Sequence, residues 1–174
     1  MSILKIITEP DPVLRKKCKL VEKIDKNLKL LMDNMAATMY EAPGIGLAAI
    51  QVGVLRRVIV IDTTKEEEIK KPLFLINPEI ISKSKNKATY EEGCLSLPGQ
   101  FAEIERPAEC HIKYLDYNGK IKELKADGLL STCIQHEVDH LNGVLFIDYL
   151  SKLKRNMIIK KLSKQKEAID RIIV

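Results

Sequence analysis

The chain has 174 residues, 45% of them apolar, 5% aromatic and none tryptophan, with a formal net charge of +5. That supply of apolar residues excludes global disorder and suits one folded domain over residues 1–174, with a core of Ile, Leu, Val and Met. No run approaches the ~18 consecutive apolar residues of a membrane-spanning helix, and so few aromatics leave little platform for stacking single-stranded nucleic acid.

The opening MSILKIITEPDPVLRKK meets charges and prolines at once, unlike a secretion signal or a transit peptide, so a cytoplasmic protein is expected. Its four cysteines, Cys18, Cys94, Cys110 and Cys133, are then expected to be reduced, because a chain of this size folds without staples. The first predicted helix runs from Asp25 to Tyr40, where Leu28, Leu31, Met32, Met35 and Met39 recur at spacings of three and four. Pro43, Gly44 and Gly46 end it. Short β-branched or alternating runs follow at Arg57–Asp62, Leu73–Asn77, Ile80–Ser82, His111–Asp116 and Ile121–Leu124. The Lys65–Lys71 and Ser82–Lys87 stretches read as exposed loops, and Tyr117-Asn118-Gly119-Lys120 as a hairpin turn. A second helix is predicted over Leu129–Leu141, bounded by Asp127-Gly128 and Asn142-Gly143. A third runs from Ser151, its cap, to the end, with Leu153, Met157, Leu162, Ile169 and Ile172 or Ile173 as a ragged apolar stripe. Helices flanking mainly antiparallel strands make an α+β fold.

The second helix carries His136-Glu137-Val138-Asp139-His140. Residues four apart share a helical face, so both imidazoles can reach one metal ion. Glu137 can then sit beside the ion without binding it and move the proton of an activated water. The third histidine, His111, lies on a predicted strand and reads as ordinary. The competing reading is a chance pattern on a solvated helix, but Ile134 and Leu141 flank the histidines and suit a buried stripe, where an imidazole pair needs partners.

Catalytic sites of this kind use three protein ligands and one open position. No histidine follows His140, and Asp148, Glu167 and Asp170 form no recognised ligand pattern. Upstream, Cys94 lies in a segment bounded by Gly93 and Pro98, where the backbone can turn toward an ion. From the residues alone it is a candidate thiolate ligand, weighed against the common inert buried cysteine.

Three segments together resemble the peptide deformylase family: GIGLAAIQVG (Gly44–Gly53), EEGCLSLP (Glu91–Pro98) and QHEVDHLNG (Gln135–Gly143). The likeness extends to INPEI (Ile76–Ile80), ADGLL (Ala126–Leu130) and GVLFIDYL (Gly143–Leu150), in the manner of the shorter bacterial type with a C-terminal helix. It implies removal of the formyl group from the N-terminal formylmethionine of newly made proteins, with release of formate. It implies a divalent metal held by Cys94, His136 and His140, ferrous iron foremost and zinc, nickel or cobalt possible in its place. It implies Glu137 as acid and base, and Gln51 with the Leu95 backbone N–H as oxyanion donors. Gly46 and Gly93 would lie along the substrate backbone, and Ile45, Leu129 and Cys133 would hold the methionine side chain. Phe101 stands where the family often has arginine, Arg106 lies close by, and Ile50 stands where many members have proline or threonine.

Two other functions are open to the motif: a zincin-like peptidase, which would need a ligand downstream of His140, and a non-catalytic metal-stabilised module docking on RNA. Residues 151–174 hold eight Lys or Arg against Glu167 and Asp170, a charge of +6. This reads either as a solvated helix face or as a contact with RNA phosphate, the resemblance pointing to the ribosome. No sequence-specific nucleic-acid binding and no membrane partner are expected.

Overall fold

The computed structural model describes residues Met1–Ile173. Its three long helices are α1 (Lys26–Glu41), α2 (Gly128–Leu141) and α3 (Lys152–Ile173). Its seven strands are β1 (Gly46–Ala48), β2 (Val58–Ile61), β3 (Leu73–Lys83), β4 (Lys87–Cys94), β5 (Leu97–Pro107), β6 (Cys110–Leu115) and β7 (Ile121–Ala126). All strand pairs within the sheets are antiparallel: one five-stranded sheet in the order β1-β2-β3-β6-β7, and a separate two-stranded sheet of β4 and β5. This is the expected α+β fold.

The sheet is covered on both faces near its centre. Successive side chains of a strand point to opposite faces. In β2, Val58 and Val60 pack with Met32, Met35 and Met39 of α1, while Ile59 and Ile61 pack with Ile134, Val138 and Leu141 of α2. The four residues of β2 are therefore all buried, which accounts for the unbroken apolar run Val58–Ile61 within RVIVID. Asp25 caps α1 by accepting from the Leu28 N–H at 2.9 Å. Phe146 and Ile147 form a third cluster with Leu97 and Ile104 of β5 and Leu162 of α3.

Several sequence expectations change. β3 is one strand of 11 residues, not two pieces. Asn77 takes a positive φ of 50° and the register shifts between Ile76 and Glu79, a bulge that also accommodates Pro78, which has no N–H to donate. The Asn77 side chain bonds the Val21 N–H at 2.8 Å and the Val21 carbonyl at 2.9 Å, replacing part of the lost pairing. β1, β4 and β5 were not expected, and the Ser82–Lys87 loop is shortened by strands entering from both sides. The apolar stripe expected along α3 does not pack as one. Leu162 is buried, but Leu153 and Met157 are 72% and 64% exposed and Ile169, Ile172 and Ile173 are exposed as well, because only the first half of the helix lies against β5 and the Phe146–Tyr149 turn. Ser151 does cap it, accepting from the Lys154 N–H at 3.3 Å. Val174, at the end of the predicted helix, lies outside the described residues.

Candidate active site

β4 ends on Cys94, and α2 runs beneath it with 10 of its 14 residues buried. The Cys94 Sγ lies 3.3 Å from His140 Nε2, and the ligand atoms of Cys94, His136 and His140 fall within 4.8 Å of one another. His136 donates from Nδ1 to Glu92 Oε1 at 2.8 Å, which turns its Nε2 toward the cluster. One soft sulfur and two imidazoles, brought together and largely dry, fit a divalent transition metal with one coordination position left open. Burial pushes His140 well down, so its ring is neutral. Burial also acts to lower His136, but its hydrogen bonds with Cys94 and Glu92 outweigh that and raise it.

Glu137 is buried, and its Oε2 has no partner among the described residues. Burial pushes its carboxyl up to about 7; the charge of His136 opposes the rise and Glu92 adds to it. Such a group exchanges a proton near neutral pH, as acid–base work requires. Gly46 makes room for it. A Cβ there would lie 2.5 Å from Glu137 Oε1 and 2.9 Å from Cys133 Sγ.

Gln51 is fixed at both ends of its amide. Oε1 accepts from the Ala48 N–H at 2.9 Å, which turns Nε2 toward Ser96 Oγ at 3.0 Å and Cys94 Sγ at 3.5 Å. The donor end therefore points at the candidate ligand Cys94. Beside it lies a cavity of about 440 Å³, in the range that holds small ligands. Ile45, Gly46, Gly93, Leu95, Leu129 and Cys133 all line it, together with Gln51, Cys94, His136 and Glu137. His140 does not; it sits behind the cavity wall. His111 is remote from this site, on β6 and 2.9 Å from Glu123.

The family model for polypeptide deformylase matches residues 3–156. The chain is 62% identical to a peptide deformylase of Pelagibacter ubique across all of both chains, and 56% identical to one of Agrobacterium fabrum over 97% of this chain and 99% of that one. The chain belongs to the polypeptide deformylase family. Its fold agrees with a crystal structure of the Ehrlichia chaffeensis peptide deformylase at a TM-score of 0.91 and 43% identity, covering 96% of this chain and 98% of that one. The same Ehrlichia enzyme in complex with actinonin matches at a TM-score of 0.91 and 46% identity, covering 95% and 98%.

Behind the Cys94, His136 and His140 cluster lies a buried polar network that the sequence motifs did not reveal. Arg106, 3% exposed, donates from Nε and Nη2 to Glu92 at 2.7 and 2.9 Å and from Nη1 to Asp139 at 2.8 Å. Tyr149 donates to Asp139 at 2.7 Å, and the Arg106 guanidinium lies 4.7 Å from the Tyr149 ring centroid. Burial would raise Glu92, but the hydrogen bonds from His136 and Arg106 outweigh it and hold its carboxylate down. The available signal was Arg106 itself, an arginine alternating with Ile104 on an otherwise half-exposed strand.

Proposed function

We propose that the chain hydrolyses the N-formyl group of formylmethionyl peptides as they are made, releasing formate, at a metal ion held by Cys94 Sγ, His136 Nε2 and His140 Nε2. The observation that carries this reading is the meeting of the three ligand atoms beside a cavity that Cys94, His136 and Glu137 line, with one Glu137 oxygen unpartnered among the described residues. Ferrous iron is the proposed ion, with zinc, nickel and cobalt acceptable to the same donor set. When bound, the ion supplies the Lewis acidity that activates water at neutral pH.

The chain's own residues do the rest. Glu137 takes the proton of the attacking water and hands it to the leaving amine. Gln51 Nε2 and the Leu95 N–H donate to the formyl oxygen as it gains charge, a contribution typically worth ~2.7–4 kcal/mol per donor. The methionine side chain enters among Ile45, Leu129 and Cys133. Among the described residues β1 and β4 each leave one edge unpaired by any strand, and residues Gly44–Gly46 and Glu91–Gly93 line the cavity between them. An extended peptide backbone fits between these edges.

Formate release from a formyl-Met peptide, measured anaerobically on iron-loaded protein, tests this. Wild type turns over, and Glu137→Ala loses nearly all activity while keeping its metal. An iron-loaded wild type that releases no formate would end the reading.

The basic α3 is proposed as a contact for ribosomal RNA phosphate. Because Leu162 is buried, deleting residues 151–174 would also damage the core. Reversing the exposed Lys160, Lys161, Lys164 and Lys166 to glutamate is the cleaner test. Ribosome affinity and its salt dependence should both fall; unchanged affinity would leave α3 a packing helix with a solvated face.

A further inference from the structure

Three large apolar side chains stand exposed around the cavity: Ile45 at 43%, Leu129 at 44% and Phe101 at 64%. Ile45 and Leu129 adjoin Cys133 in the part of the cavity assigned above to methionine. Phe101 belongs to a different wall, on β5, and is not needed for that pocket. It is the direct cross-strand partner of Gly93. A Cβ on Gly93 would lie 2.5 Å from the Phe101 ring, so the ring rests on the Gly93 backbone and only a glycine admits it there.

The position along the groove matters. With the formyl group at Cys94 and Glu137, the residues after methionine pass over the rest of the β4 edge, and Phe101 covers the first step of that path. The same exposed face carries Glu91 and its cross-strand partner Glu103. Neither joins an ion pair among the described residues. No Lys or Arg lines the cavity.

We infer that Phe101 is a specificity-determining residue, making the enzyme favour an apolar side chain and disfavour an acidic one at the second or third residue of its substrate. The inference rests on the deformylase reading of the cavity. An apolar side chain laid on the ring removes apolar surface of both from water. A contact at the rim, with the ring only partly covered, supports a preference of about three- to tenfold. An acidic side chain in the same place faces Glu91 and Glu103.

The test is kcat/KM for formate release from formyl-Met-X-Y peptides, with X and Y set in turn to Leu, Ser and Glu. Wild type should prefer Leu to Ser by about three- to tenfold at one of the two positions, with Glu poorest. In Phe101→Ala that Leu preference should drop below about twofold, chiefly through a higher KM for the Leu peptide, and Phe101→Leu should keep most of it. A wild-type ratio near one at both positions, or a preference that survives in Phe101→Ala, would overturn the inference. Failure of the underlying reading looks different: no peptide of any sequence would release formate, and both would fall together.

Discussion

Glu92 ties β4 to α2 and to β5 at once: it accepts from His136 with one oxygen and from Arg106 with both. A carboxylate behind a metal-binding imidazole fixes the ring's orientation and proton, and losing such a partner typically weakens metal binding by about 10- to 100-fold. Glu92→Gln should therefore lose metal to a competing chelator at about 10- to 100-fold lower chelator strength than wild type, with a folded circular-dichroism spectrum; equal metal affinity would reduce Glu92 to a packing role. The neutral amide also leaves Arg106 without its main counter-charge in a buried position. His136, Glu137 and His140 could be read from helical spacing because that geometry is local. Cys94 and Gln51 needed the resemblance. Glu92, Ser96, Arg106, Asp139 and Tyr149 act across the chain, at separations such as 44 residues for Glu92 to His136 and 33 for Arg106 to Asp139, and no local pattern encodes such pairs.

At the scale of elements, what was legible followed from how each face is used. α1 and α2 bury continuous stripes, and their predicted ends fall within about a turn of those observed. β4 was missed because KATYEEGC buries only Glu92, a residue that reads as surface. β5 alternates, but with Gln100 and Arg106 among its buried positions, so polar residues masked the period. β1, three residues long, offers too little sequence to show one. α3 illustrates the reverse error: apolar residues at helical spacing promised a packed face, and Leu162 alone is buried. Leu162→Ala should accordingly cost ~2–5 kcal/mol of unfolding free energy, seen as a lower denaturation midpoint at unchanged slope. Leu153→Ala, at an exposed position, should cost less than ~0.5 kcal/mol. Similar losses at the two positions would mean that the outer face of α3 is covered in solution.

Across the whole molecule, the site is assembled from parts that belong to different sheets. β4 and β5 pair only with each other among the described strands. They reach the rest of the chain through Phe146, Ile147 and α3, and through side-chain bonds such as Glu92 to His136 and Gln51 to Ser96. The sequence announced an α+β chain with a metal-binding helix, but not this division, because pairing between distant strands leaves no mark in either strand alone.

The Cys94–His140 meeting has a mechanical meaning as well as a chemical one. The two residues are 46 apart along the chain, and an ion shared between them closes that length into a loop, as a disulfide would. Cross-linking a loop of that size removes conformational freedom from the unfolded chain worth about 4 kcal/mol. The ion would thus act as a rivet between the β4–β5 hairpin and α2. Stripping it should lower the melting temperature and speed amide exchange first in Lys87–Pro107, ahead of β2, β3 and β6. Uniform loss of protection across both sheets would show that the hairpin is held by its apolar contacts alone.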